Sequence, residues 1–378
     1  MPYQNKIPNS IFRCRSCDSK STFVSIKKSD FPLYIWPLPK FKKTRLSDIS
    51  VYLCNDCGYM QLQNIDNQTI SEIYRDEAFN IVNESQNINR YKTLTSNDKP
   101  KFNNTKVLEV GGGINPFIQN LPKSAKKWVA DFDIDKKMLP VLNGVFIGDF
   151  VELDIDQNNF DYIFMFHILE HFNNPTLALK KTRKLLNKNG RLVIEVPNFA
   201  FVLKHRPYYA LFHMHISMFT KESLLSVMMR HGFNCTNFFT SNDVLFAEFS
   251  LGDYKTSENL KNISLRYLNE LQSITNKSYL TLQNYFKKLS DCKIAIFGAG
   301  GSTTLFLYNY PFLIEKISYA MDNDKNKIGR YLCNGKISII SPANTNEKID
   351  YVIVLEENHI KLIENNNVIF INIRKILK

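Results

Sequence analysis

Short apolar runs separated by helix-length polar stretches dominate the middle of the chain: VLEV, WVADFD, GVFIGDF, YIFMFHI and RLVIEV all fall between residues 106 and 197. Runs of this kind mark strands buried on both faces, and their alternation with helical stretches predicts a parallel sheet covered on both sides. PTLALKKTRKLLNKNG reads as an amphipathic helix with Leu177, Leu185 and Leu186 on one side and Gly190 as its stop. Before this region, the proline-rich stretch FPLYIWPLP predicts loops and short strands rather than helix, because proline fixes φ and lacks an amide donor. After it, residues 251–290 read as a polar helical connector, and KIAIFGAGG, ISYAMDND and DYVIVL announce a second strand, glycine-turn and helix unit. The predicted architecture is α/β: an N-terminal lobe over residues 1–98, a doubly wound sheet over 99–250 with its junction at 99–104, the connector, and a smaller Rossmann-like domain over 291–378. A chain of 378 residues that is 44% hydrophobic can bury more than one core.

Candidate chemistry concentrates in the doubly wound region. In LEVGGGINPF, Glu109, Gly111 and Gly113 form an E-x-G-x-G turn at a strand end. Glycines there let the backbone approach a cofactor closely, and the following helix start offers amides to a carboxylate. The third glycine common in such loops is replaced by Asn115, followed by Pro116. Twenty residues beyond Gly113, Asp133 is predicted to end the second strand and accept ribose hydroxyls, with Asp131 as the alternative register. Asp149 in FIGDF is placed to meet an adenine amino group from the third strand, and FHILEH ends the fourth, bringing His167 beside the cofactor and His171 near the acceptor. His171 either polarises the acceptor or caps the following turn. Together these parts predict an S-adenosylmethionine pocket in which Glu109, Asp133 and Asp149 converge.

Cys14, Cys17, Cys54 and Cys57 form two C-x2-C pairs, a spacing that lets two knuckles hold one tetrahedral zinc, and Gly58 suits the second knuckle. No fifth ligand is evident, so the predicted zinc is structural. The isolated Cys235, Cys292 and Cys333 add no framework.

A formal charge of +12 suits a phosphate-bearing partner, nucleic acid or sugar nucleotide, although the cations are scattered in short clusters and an Asn- and Lys-rich bias accounts for them equally well. No apolar run approaches the roughly 20 residues that cross a bilayer, and the expected compartment is the cytoplasm. In IAIFGAGGSTT, Thr303 stands where a dinucleotide fingerprint wants Gly or Ala, so nicotinamide binding, a phosphate contact and plain packing all stay open.

With three parts in this order, the sequence resembles the sugar C-methyltransferase family over nearly its full length. The resemblance is carried by CRSC, LCNDCGYMQL and IYRDEAF in the N-terminal lobe, by the cofactor segments above, and by FGAGGSTTLFLYNY, MDNDKNKIGRY (Asp322, Lys327, Gly329, Arg330), Pro342 and IDYVIVL in the C-terminal domain. It implies a class I methyltransferase domain between a zinc lobe and a Rossmann-like domain, with a nucleotide-linked sugar as substrate and neither membrane nor nucleic acid as partner. It further implies that His215, in FHMHISMFT, is a base taking the proton next to the sugar keto group. Phe212 and Met214 stand where that family has Tyr and Glu, and its H-G-G segment after RHGFNC is absent, so methylation at O or N stays open beside C. A buried aromatic cluster is the other role for His213 and His215. Two further readings are a zinc-bearing RNA methyltransferase, for which the C-terminal domain has no use, and a non-catalytic scaffold, which would not need the acids.

Overall fold

The computed structural model describes residues 12–63, 84–95, 102–113, 115–241, 243–255, 258–289, 291–344, 348–356, 359–360 and 369–377. The IYRDEAF motif and part of the 99–104 junction lie outside the described residues.

In the N-terminal lobe, β1 (Thr22–Pro32), β2 (Leu46–Cys54) and β3 (Met60–Leu62) form an antiparallel sheet in that order. The proline-rich stretch is mostly loop, as its composition predicts, and the long strands lie on either side of it, with Ile26, Ile49, Val51 and Leu53 buried. After α1 (Glu84–Thr95) comes the central domain. Its strands are β4 (Lys106–Val110), β5 (Lys126–Asp131), β6 (Gly144–Ile147), β7 (Phe160–Phe166), β8 (Leu186–Pro197), β9 (Phe233–Ser241) and β10 (Val244–Leu251). They assemble in the order β6-β5-β4-β7-β8-β10-β9, with β10 antiparallel to both neighbours and the other pairs parallel. The direction of winding reverses between β4 and β7, so a ligand crevice forms outside the carboxyl ends of these two strands.

Helix α2 (Pro175–Leu185) is capped by Asn174, which accepts from the Leu177 amide. Its buried face is Pro175, Ala178, Leu179, Thr182 and Leu185, whereas Leu177 is 45% exposed. The helix stops five residues before the predicted Gly190, which lies inside β8; the amphipathic stripe runs out at Leu185 and the chain turns extended at Leu186. The segment after β8 forms α3 (Phe199–His205) and α4 (Lys221–Arg230), the second opened by a Thr220/Ser223 capping box.

The predicted connector is a 27-residue helix, α5 (Lys261–Lys287), and it is part of two cores. Ser264, Leu268, Leu271, Thr275, Ser278, Leu282 and Phe286 recur at three- and four-residue spacing and are buried. Leu268 and Leu271 pack with Ile26, Val51 and Leu53 of the N-terminal lobe, while Leu282 and Phe286 pack with the C-terminal domain. Among the described residues no helix is long and apolar enough to cross a membrane.

The C-terminal domain contains β11 (Ile294–Phe297), α6 (Gly301–Asn309), β12 (Ile317–Met321), β13 (Tyr331–Leu332), β14 (Ile337–Ile340), β15 (Tyr351–Val354) and β16 (Ile369–Asn372). Its sheet order is β13-β14-β12-β11-β15-β16, parallel except at the β13 edge. It docks on the N-terminal lobe through an isolated bridge between Leu38 and Tyr331, hydrogen-bonded at 3.0 and 2.8 Å. Arg330 Nη1 donates to the Pro37 carbonyl at 3.4 Å and Lys28 Nζ to Asn309 Oδ1 at 2.7 Å. Arg330 and Tyr331, at the end of the MDNDKNKIGRY segment, thus serve domain docking.

Candidate active site and metal centre

Cys14, Cys17, Cys54 and Cys57 come together with their sulfurs within 4.8 Å of one another, and the pairs Cys14–Cys57 and Cys17–Cys54 stand at 3.6 Å. A tetrahedron of about 2.3 Å zinc–sulfur bonds has edges of about 3.8 Å, so the donor set and its spacing fit one tetrahedral ion with little movement. Gly58 closes the second knuckle at φ +73°, and a Cβ there would meet the Leu260 carbonyl carbon at 2.3 Å. The knuckle therefore sits directly on the start of α5, where Ser264 Oγ donates to the Gly58 carbonyl at 2.6 Å. On the other side, β3 pairs with residues 216–218: the Leu62 amide donates to Ile216 O at 2.8 Å and the Met218 amide to Met60 O at 3.2 Å. Tyr59 Oη donates to Ser217 Oγ at 2.5 Å. The cysteine lobe thus fixes the segment that carries His215.

At the carboxyl end of β4, the glycine loop is built by Glu109. Its two carboxylate oxygens accept from the Phe117 and Ile118 amides, each at 3.0 Å, and the side chain is 3% exposed. Burial raises its pKa to about 7 against the pull of those amides. Glu109 therefore shapes the loop rather than facing a ligand. Gly111 (φ +79°) has no room for a Cβ, which would strike Ile168 Cδ1 at 2.0 Å, while a Cβ on Gly113 (φ +55°) would meet nothing closer than Asp131 Oδ2 at 3.8 Å.

The strand register differs from the sequence expectation: β5 ends at Asp131, and Asp133 stands two residues beyond, exposed, accepting from the Ile134 amide. The aspartates differ because the chain bends out of the sheet at Phe132 and runs irregularly to Asp135. Asp131 Oδ2 accepts from the Gly113 amide at 2.6 Å, joining the acid to the glycine loop, and burial raises its pKa. Asp149 follows β6 and accepts from the Val151 amide at 2.9 Å. Asp131 thus takes the strand-end place expected of Asp133, Glu109 is spent on the loop amides, and the glycine loop, Asp131 and Asp149 follow one another at or just beyond the ends of adjacent strands β4, β5 and β6.

Beyond β7 lies a buried charged network. His167, at φ +54°, has Nε2 3.1 Å from Glu195 Oε1 and Nδ1 3.3 Å from Glu170 Oε1. Burial works against its protonation, but the two carboxylates prevail and raise its pKa to about 9. Glu195 is pushed up by burial yet held down at about 2 by His167 and by Arg90, whose Nε and Nη2 reach its Oε1 at 3.1 and 2.5 Å. His171 Nδ1 is 2.8 Å from the Met214 carbonyl oxygen, and its ring meets that of His215 edge-on at 5.0 Å. Burial lowers the pKa of His171, and lowers that of His215 well below the usual imidazole value with help from His171 and His167. His215 lines a small cavity of about 20 Å³ with Pro197, Tyr209 and Ser217, whereas His213 turns toward Phe31 of the N-terminal lobe. Glu170, His171 and His215 offer donor atoms within 4.8 Å of one another. Sequence reasoning singled out His167, His171 and His215 but missed Arg90, Glu170 and Glu195. The available signal was a lone carboxylate in an apolar strand, as in RLVIEVP, which must find a partner when buried.

In the C-terminal domain, Gly298 (φ +90°) starts the second glycine loop, and Asp322 directly follows β12. Its Oδ2 accepts from the Ala299 amide at 2.8 Å and Lys327 Nζ at 3.0 Å, and its Oδ1 from the Asp324 amide at 2.9 Å. A Cβ on Gly301 would meet Ile35 Cδ1 at 2.8 Å, so the helix start is pressed against the N-terminal lobe.

A doubly wound, mostly parallel seven-stranded sheet, with a glycine loop and a strand-end aspartate at its winding reversal, is the fold of class I methyltransferases. Residues 83–237 match the sequence family described as "Methyltransferase domain", and residues 255–373 match the "C-methyltransferase C-terminal domain". The chain is an S-adenosylmethionine-dependent methyltransferase whose C-terminal part is similar to that of C-methyltransferases. No curated protein matches it. Similar solved structures include a TehB-like S-adenosylmethionine-dependent methyltransferase from Corynebacterium glutamicum, 17% identical, covering 45% of this chain and 100% of that one with a TM-score of 0.32. Another is an S-adenosylmethionine-dependent methyltransferase from Clostridium acetobutylicum, 13% identical, covering 49% and 99% with a TM-score of 0.36.

Proposed function

We propose that this enzyme methylates a carbon of a nucleotide-linked sugar, with Asp131, Gly111, Gly113 and Asp149 holding S-adenosylmethionine and His215 acting as the base. The observation that carries the reading is His215 itself: a hydrogen-bond-poor imidazole, kept neutral by burial, facing a cavity and held by the cysteine lobe. A neutral imidazole can take the proton from the carbon beside a keto group. Asp131, Gly111, Gly113 and Asp149 would hold S-adenosylmethionine, which would supply an electrophilic methyl to the acceptor carbon that His215 deprotonates. Alignment of the two partners contributes much of the rate, and the base adds about 10²–10⁴-fold. Tyr209 and Ser217 line the same small cavity as His215, which has room for about one water-sized group.

The match of residues 255–373 to the C-methyltransferase domain favours carbon over oxygen or nitrogen as acceptor and weighs against an RNA substrate. Zinc is proposed in the four-cysteine site on the strength of the 3.6 Å sulfur spacings, with a structural role in holding residues 216–218. The test is incubation with methyl-labelled S-adenosylmethionine and a panel of nucleotide-linked keto and non-keto sugars, followed by NMR location of the label. A new methyl on a carbon next to a keto group is expected. Label on RNA, or on a sugar oxygen, overturns the substrate reading.

A further inference from the structure

His215 would take a proton where burial opposes positive charge, and the 212–215 segment, Phe-His-Met-His, has no carboxylate of its own. A carboxylate nonetheless reaches the site from another element. Glu170, in the turn after β7, is 0% exposed, and its side chain belongs to the group of donor atoms within 4.8 Å that includes His171 and His215. Its Oε1 accepts from His167 at 3.3 Å, while its Oε2 has no hydrogen-bond partner among the described residues. A buried carboxylate oxygen left without a donor carries a desolvation cost, which a positive charge arriving beside it would offset.

The backbone ties Glu170 to the base. The Ser217 amide donates to the Glu170 carbonyl at 3.0 Å, and the Met214 carbonyl oxygen lies 2.8 Å from His171 Nδ1, which places the proton on that nitrogen. The two segments therefore hold each other on both sides of His215. We propose that Glu170 is the positioning carboxylate of His215, the negative charge against which that imidazole receives the acceptor's proton. The proposal rests on the reading of His215 as base. The groups facing the pair are His167 and His171 from the turn after β7 and Tyr209 from the cavity wall, with Arg90 and Glu195 behind His167.

The experiment compares the zinc-loaded, S-adenosylmethionine-bound wild type with Glu170→Gln and Glu170→Asp, following the His215 imidazole by ¹⁵N NMR titration. Loss of the charge in Glu170→Gln is expected to weaken proton binding by His215 about tenfold or more, with Glu170→Asp in between, at unchanged cofactor affinity. With a sugar nucleotide the enzyme accepts, Glu170→Gln is expected to lower kcat about tenfold. In a His215→Ala background the same change should have no further effect on kcat. An unaltered His215 titration in both Glu170 variants overturns the proposal, as does a kcat loss that multiplies fully with that of His215→Ala. A second equivalent of metal per chain, lost in Glu170→Gln, also overturns it, because the carboxylate would then be an ion ligand. Unchanged turnover in His215→Ala removes the base reading alone; the titration still decides whether Glu170 is the imidazole's counter-charge.

Discussion

Two glycine loops in this chain begin alike and end differently. Each follows a buried strand, and each donates an amide to an aspartate at the end of the neighbouring strand, Gly113 to Asp131 and Ala299 to Asp322. In the central domain the space over Gly113 is open apart from Asp131. In the C-terminal domain Lys327 neutralises Asp322, and Ile35 of another lobe is pressed on Gly301. The shared device positions a carboxylate against a loop; what fills the mouth decides whether that carboxylate meets a ligand or a neighbour. A glycine fingerprint is thus a statement about backbone geometry before it is one about cofactors.

The largest effect should come from removing the lobe on which both regions lean. Structural zinc couples about 10 kcal/mol or more of binding to folding, so chelation is expected to unfold the N-terminal lobe. The same treatment should loosen the His215 segment and free the C-terminal loop from Ile35, visible as loss of hydrogen-exchange protection in residues 212–218 and 299–304. A metal-free protein with an unaltered melting curve would count against the cysteine assignment.

Next, Asp322→Asn should cost about 1–3 kcal/mol in denaturant unfolding, because it discharges the partner of Lys327, while leaving S-adenosylmethionine affinity as in wild type. Loss of cofactor binding in that variant would erase the distinction between the loops. Gly113→Ala, at φ +55°, should cost about 1–2 kcal/mol and weaken cofactor binding, whereas Gly300→Ala, at φ −120° with nothing within 4 Å, should stay within about 0.5 kcal/mol. Equal losses in both would mean that neither mouth is special.

A further effect is in pH. His167 has its pKa raised to about 9, so its contribution to stability is complete below the unfolded value near 6.5 and is lost as pH rises through 9. Asp322 is pushed up by burial but held lower still by its amides and Lys327, so its contribution is present above the unfolded carboxylate value and is lost only in acid. Between pH 6.5 and 9 the melting temperature should therefore fall, and His167→Gln should flatten the slope. A slope unchanged by that substitution would remove His167 from the charged network.

Much of this arrangement was legible in the sequence. The buried strands announced themselves as apolar runs, because a strand covered on both faces has no polar side to show, and the cysteine spacing named its own geometry. The boundaries were less legible. Gly190 resembles a helix stop, yet the stripe of α2 ends at Leu185, and a glycine is tolerated in the extended β8. Asp131 and Asp133 lie on the same side of an extended chain, so alternation alone could not say where β5 ends. The polar composition of α5 concealed a buried stripe, since a helix needs only one apolar side to join two cores. Arg90 and Glu195 were missed because their pairing brings together a helix and a strand 105 residues apart in the chain, and Glu170 because only the left-handed turn at His167 folds it back onto that ring.

The most direct test of the cofactor site is calorimetric titration of S-adenosylmethionine into the wild type, Asp131→Asn and Asp133→Asn. Saturable binding to the wild type, weakened about tenfold or more by Asp131→Asn and untouched by Asp133→Asn, is the predicted result. Intact binding in Asp131→Asn together with its loss in Asp133→Asn would contradict the placement of the methyl donor at the open glycine loop.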